Sequence, residues 1–254
     1  MEKCNVKFYD FKLNNFQEYV VSPEYRFYEY NGYLNLEYDE KACCKKETHP
    51  SLLRDAITLA LSEYLVSPYC SNEIHEVIWR TSILFSYFTD EQYKNDRVIG
   101  LDMDTMGDIK DWYLKLSSNS TQNFRTQWNL AFNEYNATCY TESLEQNYIH
   151  LITVLEALFV KGNDKIRAKV VGNTSKVCGN TEDERKRIRK VINCAYDIRS
   201  SAVHGNLDEL IKNLKKKGSF SNYYEFRKIV AQALWETFGK DKNQLIEDIK
   251  IGKF

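Results

Sequence analysis

The sequence predicts a mainly α fold: an antiparallel helical bundle over residues 141 to 254, preceded by an N-terminal α+β region, residues 1 to 140, with a small β-hairpin and helices. Three observations carry that expectation. Ten glycines and three prolines in 254 residues leave few breaks for regular elements, while 43% hydrophobic residues are enough to fill a core. Beyond residue 50 the apolar residues recur at steps of three and four, the period of a helix with one buried face. Before residue 40 they alternate instead, as in a half-buried strand.

The elements follow in order. Val6, Phe8, Tyr9 and Phe11 begin the alternating stretch, and EYRFYEYNGYLNLEY sets Asn31-Gly32 between two aromatic-rich runs. That is a hairpin signal, because a type I′ turn needs positive φ at both central positions. Residues 50 to 66 are apolar nearly all round and read as a buried helix with Pro50 in its first turn. A second helix is expected over 72 to 88. The polar, glycine-punctuated stretch 94 to 107 and the SSNSTQN run at 117 to 123 read as loops, with a helix at about 122 to 137 after them. Helices are then expected at 142 to 161, ended by Gly162; at 164 to 176; at 182 to 204, opened by the capping box Thr181-x-x-Glu184 and closed by Gly205; at 207 to 217; and at 222 to 238. Short connections between five helices imply antiparallel neighbours.

Composition narrows the function classes. Charge is close to balanced overall but uneven: residues 1 to 140 hold 14 positive and 21 negative side chains, residues 141 to 254 hold 21 and 15. The sign change supports a division near residue 140, and the basic half suits a polyanionic partner as well as it suits solvated lysines. The opening residues carry no basic stretch followed by an apolar run, and no segment approaches 18 apolar residues, so a cytoplasmic protein with no membrane partner is expected. Seven scattered cysteines without a C-x-x-C pair fit free thiols in a reducing compartment. Cys43, Cys44 and His49 depart from the usual zinc spacings, so no metal and no cofactor are expected.

Two charges interrupt apolar stripes. Ile188, Ile192, Ala195, Arg199 and Ala202 share one helix face; Ile149, Ile152, Glu156 and Phe159 share another. Burying either charge alone costs several kcal/mol, so each needs a partner or a cleft, and the economical expectation is that Glu156 and Arg199 meet. An ion pair that only sets helix register is the competing reading. His204 ends the Arg199 helix just before Gly205, five positions on, which is about 140° of rotation. Asp197, Ser200 and Ser201 lie nearer its side. A helix C-terminus favours a histidine cation, so His204 is either a cap or a proton-transfer group. His75 and His150 have no comparable setting and read as packing or surface residues.

The segment YDIRSSAVHG, residues 196 to 205, resembles the signature of the HEPN superfamily, an arginine followed after four to six residues by a histidine at a helix end. With YIHLITVLEALFV, residues 148 to 160, it is similar to the Apea-like HEPN branch over about residues 141 to 240. The resemblance implies a helical bundle that works as a homodimer, with two such motifs facing each other, and in many members a metal-independent endoribonuclease of defence or stress systems. Carried over, Arg199 neutralises the scissile phosphate and His204 transfers protons as the RNA 2′-hydroxyl attacks, leaving a 2′,3′-cyclic phosphate and a 5′-hydroxyl. Glu156, Tyr196, Asp197 and Ser200 are the supporting residues. Many active members carry Asn, Asp or His directly after the arginine; this chain has Ser200.

For RNA, Arg185, Lys186, Arg189 and Lys190 at the start of the motif helix and Lys215 and Lys216 after the next offer phosphate contacts, or simply a solvated face. Three readings remain open at this point. The chain is a HEPN endoribonuclease, with an antitoxin or regulatory protein as a further partner; or a non-catalytic HEPN module that binds RNA or a protein; or a purely structural helical interaction protein.

Overall fold

The computed structural model describes residues 3–8, 11–31, 33–39, 50–62, 66–70, 77–81, 99–118, 127–141, 143–217 and 220–254. It is mainly helical, and it divides into two compact units, Met1–Asn123 and Phe124–Phe254.

In the first unit, β1 (Lys3–Phe8), β3 (Glu18–Ser22), β4 (Tyr25–Tyr30), β5 (Tyr33–Asp39), β6 (Val66–Cys70) and β7 (Val77–Thr81) form one sheet in the order β3-β4-β5-β1-β7-β6. All its pairings are antiparallel except β1 with β7. The short strands β2 (Phe11–Leu13) and β8 (Ile99–Leu101) pair in parallel. The expected hairpin is present: Tyr30 pairs with Tyr33, and Asn31 takes the positive φ of 52° that the tight turn needs. Along β4 the period of two buries Tyr25 and Phe27, while Arg26 between them bonds Glu37, its partner across the ladder, at 3.0 Å.

Among its described residues this unit holds two helices, α1 (Pro50–Ala60) and α2 (Met103–Ser118). The first opens at Pro50 as expected but stops short of residue 66, and the chain resumes as β6. Pro68 in that segment cannot continue a helix. Nor is the helix expected over 72 to 88 formed where the chain is described. Val77–Thr81, VIWRT, is β7, a run of β-branched and aromatic residues paired with β6. Helix α2 begins inside the stretch read as a loop. Asp102 Oδ1 accepts from the Thr105 amide at 2.8 Å and from its hydroxyl at 2.7 Å, and Met106, Ile109, Trp112, Tyr113 and Leu116 form its buried stripe. Cys43, Cys44, His49 and His75 lie outside the described residues.

The second unit is a helical bundle: α3 (Gln127–Ala137), α4 (Leu144–Phe159), α5 (Ile166–Cys178), α6 (Glu182–Val203), α7 (Leu207–Lys217), α8 (Phe220–Thr237) and α9 (Lys242–Lys250). Helix α4 is apolar on most sides and runs through the centre, with Leu151, Ile152, Val154 and Leu155 fully buried. It packs on α3, α5, α6 and α8, and this attachment of α3 places the division at Asn123, ahead of the charge change near residue 140. Helix α9, which no periodicity argument above anticipates, is started by Asp241, whose carboxylate accepts from the Asn243 and Gln244 amides at 2.9 and 3.1 Å.

One core residue of this unit is an arginine. Arg227 of α8 is fully buried; its Nη1 donates to the Thr138 hydroxyl, its Nη2 to the Cys139 sulfur at 3.3 Å, and its guanidinium lies 4.3 Å from the centre of the Tyr135 ring. No carboxylate among the described residues pairs with it. Burial pushes the hydroxyls of Tyr135 and Tyr223 beside it upward, that of Tyr223 to about 12, so both stay neutral next to the cation.

Candidate functional site

Helix α6 carries the motif, and its two ends are fixed in different ways. At the start, the capping box forms as expected: Thr181 Oγ1 accepts from the Glu184 amide at 3.2 Å, and the Glu184 carboxylate accepts from the Thr181 amide at 3.2 Å. At the other end, Gly205 takes φ +66°, its amide donates to Ala202 O, and the Asn206 amide donates to Ser201 O at 3.1 Å. This is a Schellman stop, and the left-handed position is where glycine is least strained. His204 is the cap residue, exposed to solvent and bonded by its amide to Ser200 O at 3.1 Å. Along the helix axis Arg199 precedes it by about 7.5 Å.

Arg199 is half-buried, and its Nε is enclosed without a hydrogen-bond partner. Among the described residues no salt bridge engages its guanidinium. The expected pair with Glu156 of α4 is therefore not formed. The Glu156 carboxylate instead accepts from the hydroxyl of Tyr196, three positions before Arg199, at 3.1 Å. Tyr196 satisfies the carboxylate without a charge, which is the less costly solution on a largely desolvated face. Burial and then the neighbouring Glu156 carboxylate push the Tyr196 hydroxyl well above the usual phenol range; the guanidiniums of Arg199 and Arg167 act on it in the opposite sense.

Arg167 of α5 belongs to this cluster, although nothing in the sequence argument names it. Its Nε donates to Asn193 Oδ1 at 2.9 Å and its Nη2 to Asn193 O at 3.0 Å. Nη1 pairs with Asp197 at 3.0 Å, and the guanidinium lies 5.6 Å from the centre of the Tyr196 ring. Asp197 and Tyr196 are thus held from a neighbouring helix. The only local hint is that Asp197 has no basic residue three or four positions away on its own helix; Ser200 is exposed.

The basic residues divide by what holds them. Arg185 Nε donates to Gly179 O at 2.8 Å, packed so closely that a β-carbon at Gly179 would meet the Arg185 side chain at 2.7 Å. Arg189 bonds Ser175 at 3.3 Å and Glu182 at 3.0 Å, and Lys186 reaches Asp183 at 3.4 Å. Arg185 and Arg189 therefore tie α6 to its own start and to α5. Lys190 is exposed and lines a groove of about 430 Å³, with Tyr148, Val191 and Cys194 in its walls and the Arg187–Glu225 pair, 3.1 Å apart, at its rim. Lys215 is exposed on α7, and Lys216 follows it in the same helix. His150 Nδ1 lies 2.8 Å from Glu134 Oε2, a polar contact between α4 and α3.

Among the described residues no group of three or more His, Cys, Asp or Glu side chains is placed to hold a metal ion, and no helix is long and apolar enough to cross a membrane. No family model, no curated protein and no solved structure matches the chain.

Proposed function

We propose that the chain is a HEPN-type endoribonuclease that needs no metal, acts as a dimer and serves in cytoplasmic defence or stress, with an antitoxin or other regulatory protein as its natural restraint. The observation that carries this reading is Arg199: a cation on an apolar helix face, without an anionic partner among the described residues, one turn and a half before an exposed histidine at the helix stop. A guanidinium so placed suits a phosphodiester, whose oxygens match its fork of donors. The imidazole of His204, exposed at the helix stop, suits proton transfer. In the reaction, the RNA 2′-oxygen attacks phosphorus as one histidine takes its proton. The bond to the 5′-oxygen breaks, and that oxygen receives a proton from the second copy's histidine. Arg199 offsets the charge that builds on the phosphoryl oxygens. Tyr196, Asp197 and Glu156 hold the helix face from which Arg199 projects. Lys190 and Lys215, which no acidic side chain among the described residues claims, supply the phosphate contacts of this reading.

The test is cleavage of single-stranded RNA by the purified chain in excess EDTA, with product ends identified by mass spectrometry. Arg199→Ala and His204→Ala each reduce the rate at least a hundredfold with unchanged circular dichroism. Cleavage that survives in both variants assigns the activity elsewhere. Ser200, standing where many active HEPN nucleases have Asn, Asp or His, favours a second reading, a module that binds RNA or a protein without cutting. Binding of RNA that depends on Arg199, with no cleavage in either the wild type or a Ser200→Asn variant, selects that reading.

A further inference from the structure

The groove of about 430 Å³ lies between α6 and the start of α8, and Tyr148 of α4 forms its floor. Val191 and Ala195, one turn apart on α6, make the apolar wall beside it. Tyr148 is 2% exposed, its ring stacked on Phe226 at 5.8 Å and edge-on to Tyr223 at 5.6 Å. The ring is thus packed from behind, yet no hydrogen bond among the described residues engages the hydroxyl. Burial, and then the neighbouring Tyr223 and Cys194, hold that hydroxyl above the usual phenol range, so it is a donor. A buried donor without an acceptor in the protein is satisfied from the groove.

Two cations and one carboxylate line the opening. Arg187 and Glu225 pair at 3.1 Å and cancel. Lys190 is exposed and has no acidic partner among the described residues, which leaves one positive charge over. Cys194 follows Lys190 by one turn, about 6 Å along the axis, and stands near enough to the Tyr148 hydroxyl to act on its ionisation. The groove therefore offers a cation at its mouth, an apolar middle and a hydroxyl donor at its inner end. Its volume is that of a small-molecule site.

We propose that this groove binds a flat aromatic carboxylate with a second oxygen at the far end of its rings: the carboxylate on Lys190, the rings against Val191, Ala195 and Tyr148, and the far oxygen accepting from the Tyr148 hydroxyl. A plain hydrocarbon would leave the Tyr148 donor unmatched. A multiply charged anion would face the Glu225 carboxylate with one free cation to answer it. The site uses neither Arg199 nor His204, so it stands apart from the nuclease reading, and a ligand seated there takes Lys190 away from RNA.

The half-buried Cys194 in the groove wall is a built-in reporter, since Cys139 and Cys178 of the same bundle are buried. The full chain is alkylated with iodoacetamide, and labelling of Cys194 is followed by peptide mass spectrometry in the presence of 6-hydroxy-2-naphthoate. This probe is expected to bind with a dissociation constant of about 0.1 mM. At about ten times that concentration it slows Cys194 labelling about tenfold. The parent 2-naphthoate, which lacks the far oxygen, binds about fivefold more weakly. Tyr148→Phe abolishes that difference: it weakens the hydroxylated probe about fivefold and leaves 2-naphthoate unchanged, whereas a purely structural tyrosine would weaken both. Lys190→Gln, on the surface, weakens both probes about threefold with unchanged circular dichroism, and with the two-probe comparison it carries the test if Tyr148→Phe does not fold. Labelling that neither probe slows overturns the inference. So does a wild type that does not distinguish the two probes, or equal protection by uridine 5′-monophosphate, which would mean that the groove reads an anion alone.

Discussion

The helical bundle holds two arginines on apolar helix faces, and they are treated in opposite ways. Arg227 is wholly enclosed and gripped at both terminal nitrogens, by Thr138 and Cys139, with the Tyr135 ring against its plane. Arg199 is half-buried, and the carboxylate nearest to it in the sequence argument is bonded to Tyr196 instead. In each the Nε atom lacks a partner among the described residues, so the difference lies at the end of the fork. A cation whose donors the protein itself engages works for the fold; one whose donors it leaves idle is suited to a ligand.

That contrast can be broken most sharply at Arg227. Arg227→Ala removes a large buried side chain and is expected to cost about 3 kcal/mol in urea unfolding, by leaving a cavity among Tyr135, Tyr223 and Thr138. Arg227→Met, which keeps the volume and drops the charge, is expected to recover most of that loss. If methionine is as damaging as alanine, the charge and not the packing is what this site needs.

A smaller effect is expected at Tyr196. Tyr196→Phe leaves the half-buried Glu156 carboxylate without its donor and costs about 1 kcal/mol at neutral pH. The pH profile gives the sign. An unfolded tyrosine ionises near pH 10, whereas the folded Tyr196 hydroxyl is held higher. Its contribution is therefore complete below about pH 10 and is lost as pH rises further, and Tyr196→Phe should flatten that alkaline decline. The smallest effect belongs to Arg199. Arg199→Ala is expected to change unfolding free energy by no more than about 0.5 kcal/mol, because few interactions of the fold are lost with it. A loss as large as that at Arg227 would make the two arginines equivalent and return Arg199 to a structural role.

Much of the bundle was legible because its helices are long, periodic and capped by local chemistry. Thr181 with Glu184, and Gly205 at the far end, mark α6 within a residue or two. Where strands compete, periodicity misled: Val77–Thr81 is apolar enough for a helix, but its β-branched and aromatic residues pair with β6 just before it and with β1 near the start of the chain. The site was legible in part for the same reason. A stripe analysis finds a charge such as Arg199, and applied to Tyr223, Arg227, Val230 and Leu234 it also exposes Arg227. It does not say which neighbour answers the charge. Tyr196 taking Glu156, and Arg167 reaching Asp197 and Asn193 from α5, are facts of helix packing that no spacing within α6 encodes.

The Schellman stop at Gly205 has a consequence for how this region can change over time. Because the helix ends at a left-handed residue, the Arg–His interval and the exit direction of α7 are set by a single backbone position. Moving that glycine one place along the chain would lengthen α6 by one residue, rotating the point of departure by about 100° and advancing it about 1.5 Å. The whole α7 face would then swing to a new bearing, while Arg199 stayed where it is. Substitutions on either helix are free to drift one by one, but an insertion or deletion between residues 199 and 205 resets both at once.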